Sequence, residues 1–262
     1  TMHYCSWDRV ERLRESGTME TSTFIALSRQ TALRRQMDVV ANNIANMSTT
    51  GFKGERMMFV EHLVKSQGGE RILGDKISYV RDIATMRDLS AGPLEQTGNP
   101  LDVAIEDEGY FVIQSDSGNR YTRNGRFQLD ESGQLVTASG GSVLSDGGQP
   151  FFFAPGDTKI SIARDGTVST QNGDLGRIAV VNFANEHQLR PGAGGLYSTE
   201  AAPQPLENPG LVQGMLEGSN IQPVVEMARM IEVHRTYDGV KGFIEKEDER
   251  MRRMIRDMGQ VA

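Results

Sequence analysis

The stretch "ANNIANMSTTGFKG", Ala41–Gly54, ends an amphipathic pattern in amides and then turns through Gly51 and Gly54. Upstream of it, Thr21 to Asn46 contains neither Pro nor Gly. Ala26, Gln30, Leu33, Met37, Val40, Ile44 and Met47 follow at alternating four- and three-residue steps. Such steps lay one apolar stripe along a helix, here with Gln30 as its polar interruption. Thr21, Ser22 or Thr23 is the expected cap, and the helix would be about 39 Å long. Gly51 is expected to stop it.

The same signal returns at the other end. Met230, Val233, Tyr237, Val240, Ile244, Glu247, Met251, Met254 and Met258 repeat the three-four spacing, and Pro223 suits a first helical turn with Ser219 or Asn220 before it as cap. Four heptads of one pattern are much rarer by chance than one amphipathic turn, so coiled-coil helices are expected at both ends. Gly239 and Gly242 weaken the second helix by about 1 kcal/mol each relative to Ala. Their expected compensation is a close backbone approach near Tyr237.

Between the helices the texture changes to short apolar or alternating runs separated by turn residues. "LDVAIE" alternates Leu101, Val103 and Ile105 with Asp102, Ala104 and Glu106, the period of a half-exposed strand. "GYFVIQ", "RYT", "RFQL", "QLVTA" and "GRIAVVNFA" follow, and "KISIARDGTVST" predicts a hairpin turning at Asp165-Gly166. The expected class is α+β, with long N- and C-terminal coiled-coil helices flanking a central all-β domain. Its segments are an extension at 1–18, the first helix at 19–50, a connecting segment at 51–75, the β domain at 76–213 and the second helix within 214–262. Each seam needs a partner: the other helix, the β domain or another copy of the chain.

Composition narrows the partners. The chain has 262 residues, enough for one large or two modest cores, and a net charge of -7, so no basic field points to nucleic acid or an anionic membrane. A single cysteine, Cys5, makes no internal disulfide, and four scattered histidines give no zinc spacing. No apolar run approaches the roughly 20 residues of a membrane helix, and no cleavable secretory signal is recognisable at the start. No cofactor motif emerges either, since "PGAGGLY" has Tyr197 where a dinucleotide fingerprint needs Gly.

Catalytic patterns are equally weak. Glu106, Asp107 and Glu108 could suggest a glycosidase carboxylate pair, but Asp102 and Glu106 alternate away from the apolar face and read as a solvated strand end. His62, His187 and His234 stand alone, and no Ser or Cys sits in a nucleophile elbow. The methionines at 251, 254 and 258 are explained by seam packing.

"ALSRQTALRRQMDVVANNIANMSTTGFKG" resembles the N-terminal signature of the bacterial flagellar basal-body rod and hook family. Asn42, Asn43, Ile44, Ala45, Asn46, Thr50, Gly51, Phe52 and Lys53 carry the match. "EGSNIQPVVEMARMIEVHRTYDGVKGFI" is similar to its second signature through Glu217, Ser219, Asn220, Val224, Glu226, Met227, Ile231 and Tyr237. "GNPLDVAIEDEGYFVIQ", "YTRNGRFQLDESGQLVTASG" and "ISIARDGTVS" are similar to the family's central segments. "GPLEQTGNPLDVAI" looks more like the proximal rod members than the distal rod or hook members.

The resemblance implies a non-enzymatic subunit of the rod, the drive shaft carrying motor torque to hook and filament. It implies terminal helices in the inner layer of a helical tube, and passage unfolded through the flagellar type III export apparatus into the periplasmic rod without a cleaved signal. Partners would be other rod proteins and copies of the chain. The expected assembly interface is Leu33, Met37, Val40, Asn42, Asn43, Ile44 and Asn46 with Met230, Val233, Tyr237, Val240 and Ile244, the amides fixing helix–helix register. Thr50, Gly51 and Phe52 would form the exit turn. A distal rod or hook paralogue is the neighbouring alternative. A coiled-coil-anchored β-module binding an extracellular ligand is the alternative from another class.

Overall fold

The computed structural model describes residues 7–65, 76–116, 118–157 and 159–259, with backbone alone for 7–22, 59–65, 76–83 and Met258. Helix α1 spans Trp7–Ala45 and helix α2 spans Pro223–Gly259. α2 starts at the expected proline, whose missing N–H costs nothing in a first turn. α1 starts well before the expected caps, so Thr21, Ser22 and Thr23 lie inside it. The composition break after Thr18 is no structural boundary: Gly17 is the sole glycine from Trp7 to Ala45, and one glycine costs about 1 kcal/mol without ending a helix. Cys5 lies outside the described residues.

A second difference follows α1. Part of the expected connecting segment is strand: β1, Glu55–Lys65, pairs with β2, Lys76–Arg87, as a two-stranded sheet. Residues 66–75 are outside the described set.

The chain divides into two units, one of Thr1–Asn42, Arg56–Met86 and Val224–Ala262, the other of Asn43–Glu55 and Arg87–Pro223. In the helical unit, burial follows the predicted seams. Ala26, Leu33, Val40 and Val233 are buried, and Met37, Met230, Tyr237, Val240 and Ile244 are half-buried. Off the seams, Phe24, Leu27, Ile231, Phe243 and Ile255 are exposed. α1 and α2 together line an open groove of about 580 Å³, formed by Ile25, Ala26 and Arg29 with Thr236, Gly239, Val240 and Phe243. The glycines do not mark a close approach within this chain: a Cβ on Gly239 or Gly242 would meet nothing within 4 Å. No helix among the described residues is long and apolar enough to cross a membrane.

The second unit is built on the strand Tyr110–Ser115, which pairs antiparallel with Gly118–Thr122, Ser142–Val143 and Val180–Asn182 in a nine-stranded sheet. Alternation sends its two faces into different cores. Phe111 and Ile113 join Phe127, Leu135 and Val143, whereas Tyr110 and Val112 join Tyr121, Phe183 and Tyr197. A three-stranded sheet holds Ser161–Ile162, Thr167–Thr170 and Gly173–Arg177, and its first hairpin turns at Asp165-Gly166 as the sequence predicts.

"LDVAIE" departs from its predicted half-exposure. Val103, Ala104 and Ile105 are all at most 1% exposed, and Asp102 is buried, its carboxylate accepting from Asn99 Nδ2 at 3.1 Å. Pairing with Leu211–Gln213 and packing on both faces hide what alternation alone would leave wet.

Phe111 is wholly buried and edge-on to Phe127 at 5.1 Å. Phe111→Ala is expected to cost about 3–5 kcal/mol in urea unfolding, and Phe152→Ala at an exposed site less than about 0.5 kcal/mol. Similar losses for both would contradict this placement of the core.

Candidate functional site: a buried junction between the terminal signatures

The motif after α1 and the motif before α2 meet inside the strand-rich unit. α1 stops at Ala45, and Asn46, Met47, Thr49 and Phe52 each donate a backbone N–H three residues back, to Asn43, Ile44, Asn46 and Thr49 respectively. Met47 lies past the helix and is exposed, so the first seam ends at the half-buried Ile44.

Asn43, 1% exposed, donates from Nδ2 to the Glu55 carbonyl at 2.8 Å and accepts the Glu55 N–H on Oδ1 at 2.9 Å, reproducing the paired bonds of a strand neighbour. It therefore closes the exit turn on the first residue of β1. Asn46 Oδ1 accepts from the Thr49 hydroxyl at 3.2 Å, and Asn42 is exposed.

Gly51 is not the helix stop; it is the point where the turn docks. Its φ is +68°, its N–H donates to the Glu217 carbonyl at 2.7 Å, and a Cβ there would lie 2.7 Å from the Arg123 carbonyl carbon. No other residue type fits this conformation and this gap together. Phe52 is half-buried, and its carbonyl accepts from Asn220 N at 3.3 Å.

Asn220 is not a cap for α2. Its Oδ1 accepts from Gly54 N at 2.7 Å, and its Nδ2 donates to the carbonyls of Asp88 at 2.9 Å and Ser90 at 3.1 Å. One side chain thus joins the exit turn, the segment after β2 and the approach to α2.

Beneath this backbone network lies a buried ion cluster. Glu217 is 1% exposed; its Oε1 accepts from Lys53 Nζ at 2.7 Å and Gly92 N at 2.9 Å, and its Oε2 from Arg123 Nε at 2.6 Å. Lys53 also donates to the Ser90 carbonyl at 2.7 Å. Arg123 uses its other nitrogens on the carbonyls of Gly109, Ile105 and Asp107, at 2.9, 3.2 and 2.9 Å. Burying three charges is costly, and this cluster is tolerable because its ions are paired and richly hydrogen-bonded.

Burial alone would push the Glu217 carboxyl up, but Arg123, Lys53 and the Gly92 N–H outweigh it and hold the group below the usual carboxylate range. Burial pulls the Lys53 ammonium down, with Glu217 opposing. Arrangements of this kind fix geometry; nothing in the cluster is open to a reacting molecule.

The residues considered for chemistry are dispersed. Glu106 pairs with the Arg164 guanidinium, Glu108 accepts from Asn182 Nδ2 at 3.4 Å, and the Asp107 carbonyl belongs to the Arg123 cradle. His234 pairs with Asp238 at 3.1 Å on the exposed side of α2.

Reading the sequence placed Lys53 and Glu217 in motifs without roles, made Asn220 a candidate cap, and left Arg123 as one residue of "YTRNGRFQLDESGQLVTASG". Lys53 and Glu217 are 164 positions apart, and no periodic signal connects them.

Because Glu217 titrates lower folded than unfolded, its contribution to stability is complete above the unfolded value of about 4.3 and is lost as pH falls through the folded value. Glu217→Gln should cost about 3–5 kcal/mol near neutral pH by urea unfolding, the gap to wild type narrowing in acid. An equally stable variant at neutral pH would refute the cluster's role. Gly51→Ala should cost about 1–3 kcal/mol through strain at positive φ, measurable in the same transition.

Three family models match the chain: a flagella basal body rod protein model over residues 25–53, a flagellar hook protein FlgE/F/G D1 domain model over 104–170, and a flagellar basal body rod FlgEFG C-terminal model over 212–257. The chain is 37% identical to the flagellar basal-body rod protein FlgF of Caulobacter vibrioides, over 93% of this chain and 100% of that one. It is 32% identical to FlgF of Mesorhizobium japonicum, over 92% and 99%. It is 31% identical to the rod protein FlgG of Bacillus subtilis, over 90% and 98%. Lys53, Arg123 and Glu217 fall one in each matched segment, and the chain belongs to the flagellar basal-body rod protein family as a FlgF-like member.

Proposed function

We propose that this structural rod subunit is a proximal-rod component that assembles helically through its terminal helices, with other rod proteins and with copies of itself, to carry motor torque to hook and filament. The observation that carries the reading is the unfilled helical unit. Its seams are only partly buried, its groove is open, and Phe24, Leu27, Ile231, Phe243 and Ile255 are exposed on the two helices. A chain that leaves this much apolar helix surface wet is completed by neighbours. Contacts that repeat head to tail without closing give an open helix, the geometry of a rod.

In this reading Leu33, Met37, Val40, Ile44, Met230, Val233, Tyr237, Val240 and Ile244 form coiled-coil seams within the assembled inner layer. Asn42, Asn43 and Asn46 lie at its edge, and Thr50, Gly51 and Phe52 lead the chain into the junction. Export through the flagellar type III apparatus to the periplasmic part of the basal body accords with the family.

Three substitutions separate packing from assembly. Val40→Asp or Ile44→Asp should block incorporation into rods while the strand-rich unit keeps its own unfolding transition. Ile231→Asp, at an exposed site, should block incorporation while leaving the stability of the free subunit within about 0.5 kcal/mol. Amide exchange should show residues 21–45 and 223–258 gaining protection on assembly. Normal incorporation of all three variants would overturn the proposal.

A further inference from the structure

The sequence holds two Asn-Gly pairs, Asn124-Gly125 and Asn172-Gly173, and the fold treats them in opposite ways. In such a pair the glycine nitrogen can reach the asparagine Cγ, because no side chain on the following residue crowds the approach. Gly125 is walled in: a Cβ on it would lie 1.6 Å from the Val103 carbonyl oxygen and 3.1 Å from the Phe111 ring. Asn124 Oδ1 is also held by Arg126 N at 3.0 Å. Gly173 stands in open space, with nothing within 4 Å of a Cβ position and a φ of +131°, and Asn172 is exposed.

Asn172 also has a specific partner. Its Nδ2 donates to Asp157 Oδ1 at 2.7 Å, and beside it Gln171 Nε2 donates to the Gly156 carbonyl at 2.6 Å. Asp157 Oδ2 in turn accepts from Ala154 N at 2.8 Å. These bonds latch the hairpin tip 170–173 onto the loop 154–157.

We propose that Asn172 is a spontaneous deamidation site and that its conversion opens this latch. The Gly173 nitrogen attacks Cγ of Asn172, a C–N bond forms, the nitrogen loses its proton and the side-chain nitrogen leaves as ammonia. Water then opens the resulting succinimide at one of its two carbonyls, giving aspartate or isoaspartate. No oxidant or enzyme is needed. The product replaces an N–H donor with a carboxylate facing Asp157, so a hydrogen bond becomes a like-charge contact. Asn124 is spared because ring closure there would drive it against the Val103 carbonyl.

The test incubates the folded full-length chain in mildly alkaline oxygen-18 water, with a parallel sample in urea, followed by peptide mapping by mass spectrometry. The expected result in the folded chain is loss of ammonia and uptake of labelled oxygen at residue 172, with Asn124 intact, and modification at both positions in urea. Asn172 intact in the folded chain but modified in urea, or equal modification of both in the folded chain, would overturn the site. For the latch, Asn172→Asp should speed amide exchange at 154–157 several-fold beyond Asn172→Ala. Exchange no faster than in the alanine variant would overturn the electrostatic opening.

Discussion

The Glu217 carboxylate, held between Lys53 and Arg123, is the interaction on which the rest of the structure depends. It ends the short strand Met215–Glu217, six residues before α2, and Lys53 lies where the chain has just left α1. Arg123 directly follows the sheet strand Gly118–Thr122 and also grips the carbonyls of Ile105, Asp107 and Gly109. One buried anion therefore fixes the exit from one helix, the entry to the other and the loop leading into the central strand. Its worth is mainly geometric, since paired buried charges roughly repay their own desolvation, whereas an orphaned one is severely destabilising.

The network around the ions explains why the flanking motifs contain the residues they do. Gly51 is required by a positive φ and by the Arg123 backbone beside it, and Gly92 by the Gly218 carbonyl, which a Cβ would approach to 2.0 Å. Asn43 and Asn220 each replace a missing peptide partner with a side-chain amide that donates and accepts at once. Buried backbone groups at helix ends need such partners, and a short amide supplies both halves from one position.

Sequence periodicity read the helices well in one respect and poorly in another. The three-four spacing identified the faces that are buried, because a helix surface is a local consequence of residues three and four apart. It misplaced the start of α1, since Thr21, Ser22 and Thr23 are competent caps that the continuing helix simply passes through. It also assigned a close helix approach to Gly239 and Gly242, where a Cβ would meet nothing within 4 Å and Gly239 lines an open groove. A glycine permits close packing without dictating it.

By itself, the sequence determined the two long helices, the β texture between them, the turn at Asp165-Gly166 and the resemblance that led to the rod family. All are signals carried by neighbours in the chain or by contiguous motifs. Only the tertiary structure decided that β1 and β2 pair, that Val103 to Ile105 are buried on both faces, and that Lys53, Arg123 and Glu217 meet. Strand burial depends on what packs over the second face, and an ion pair spanning 164 positions leaves no local pattern. Its partners become recognisable when folding removes water from around them and the carboxylate must be satisfied by whichever cations the chain has brought there.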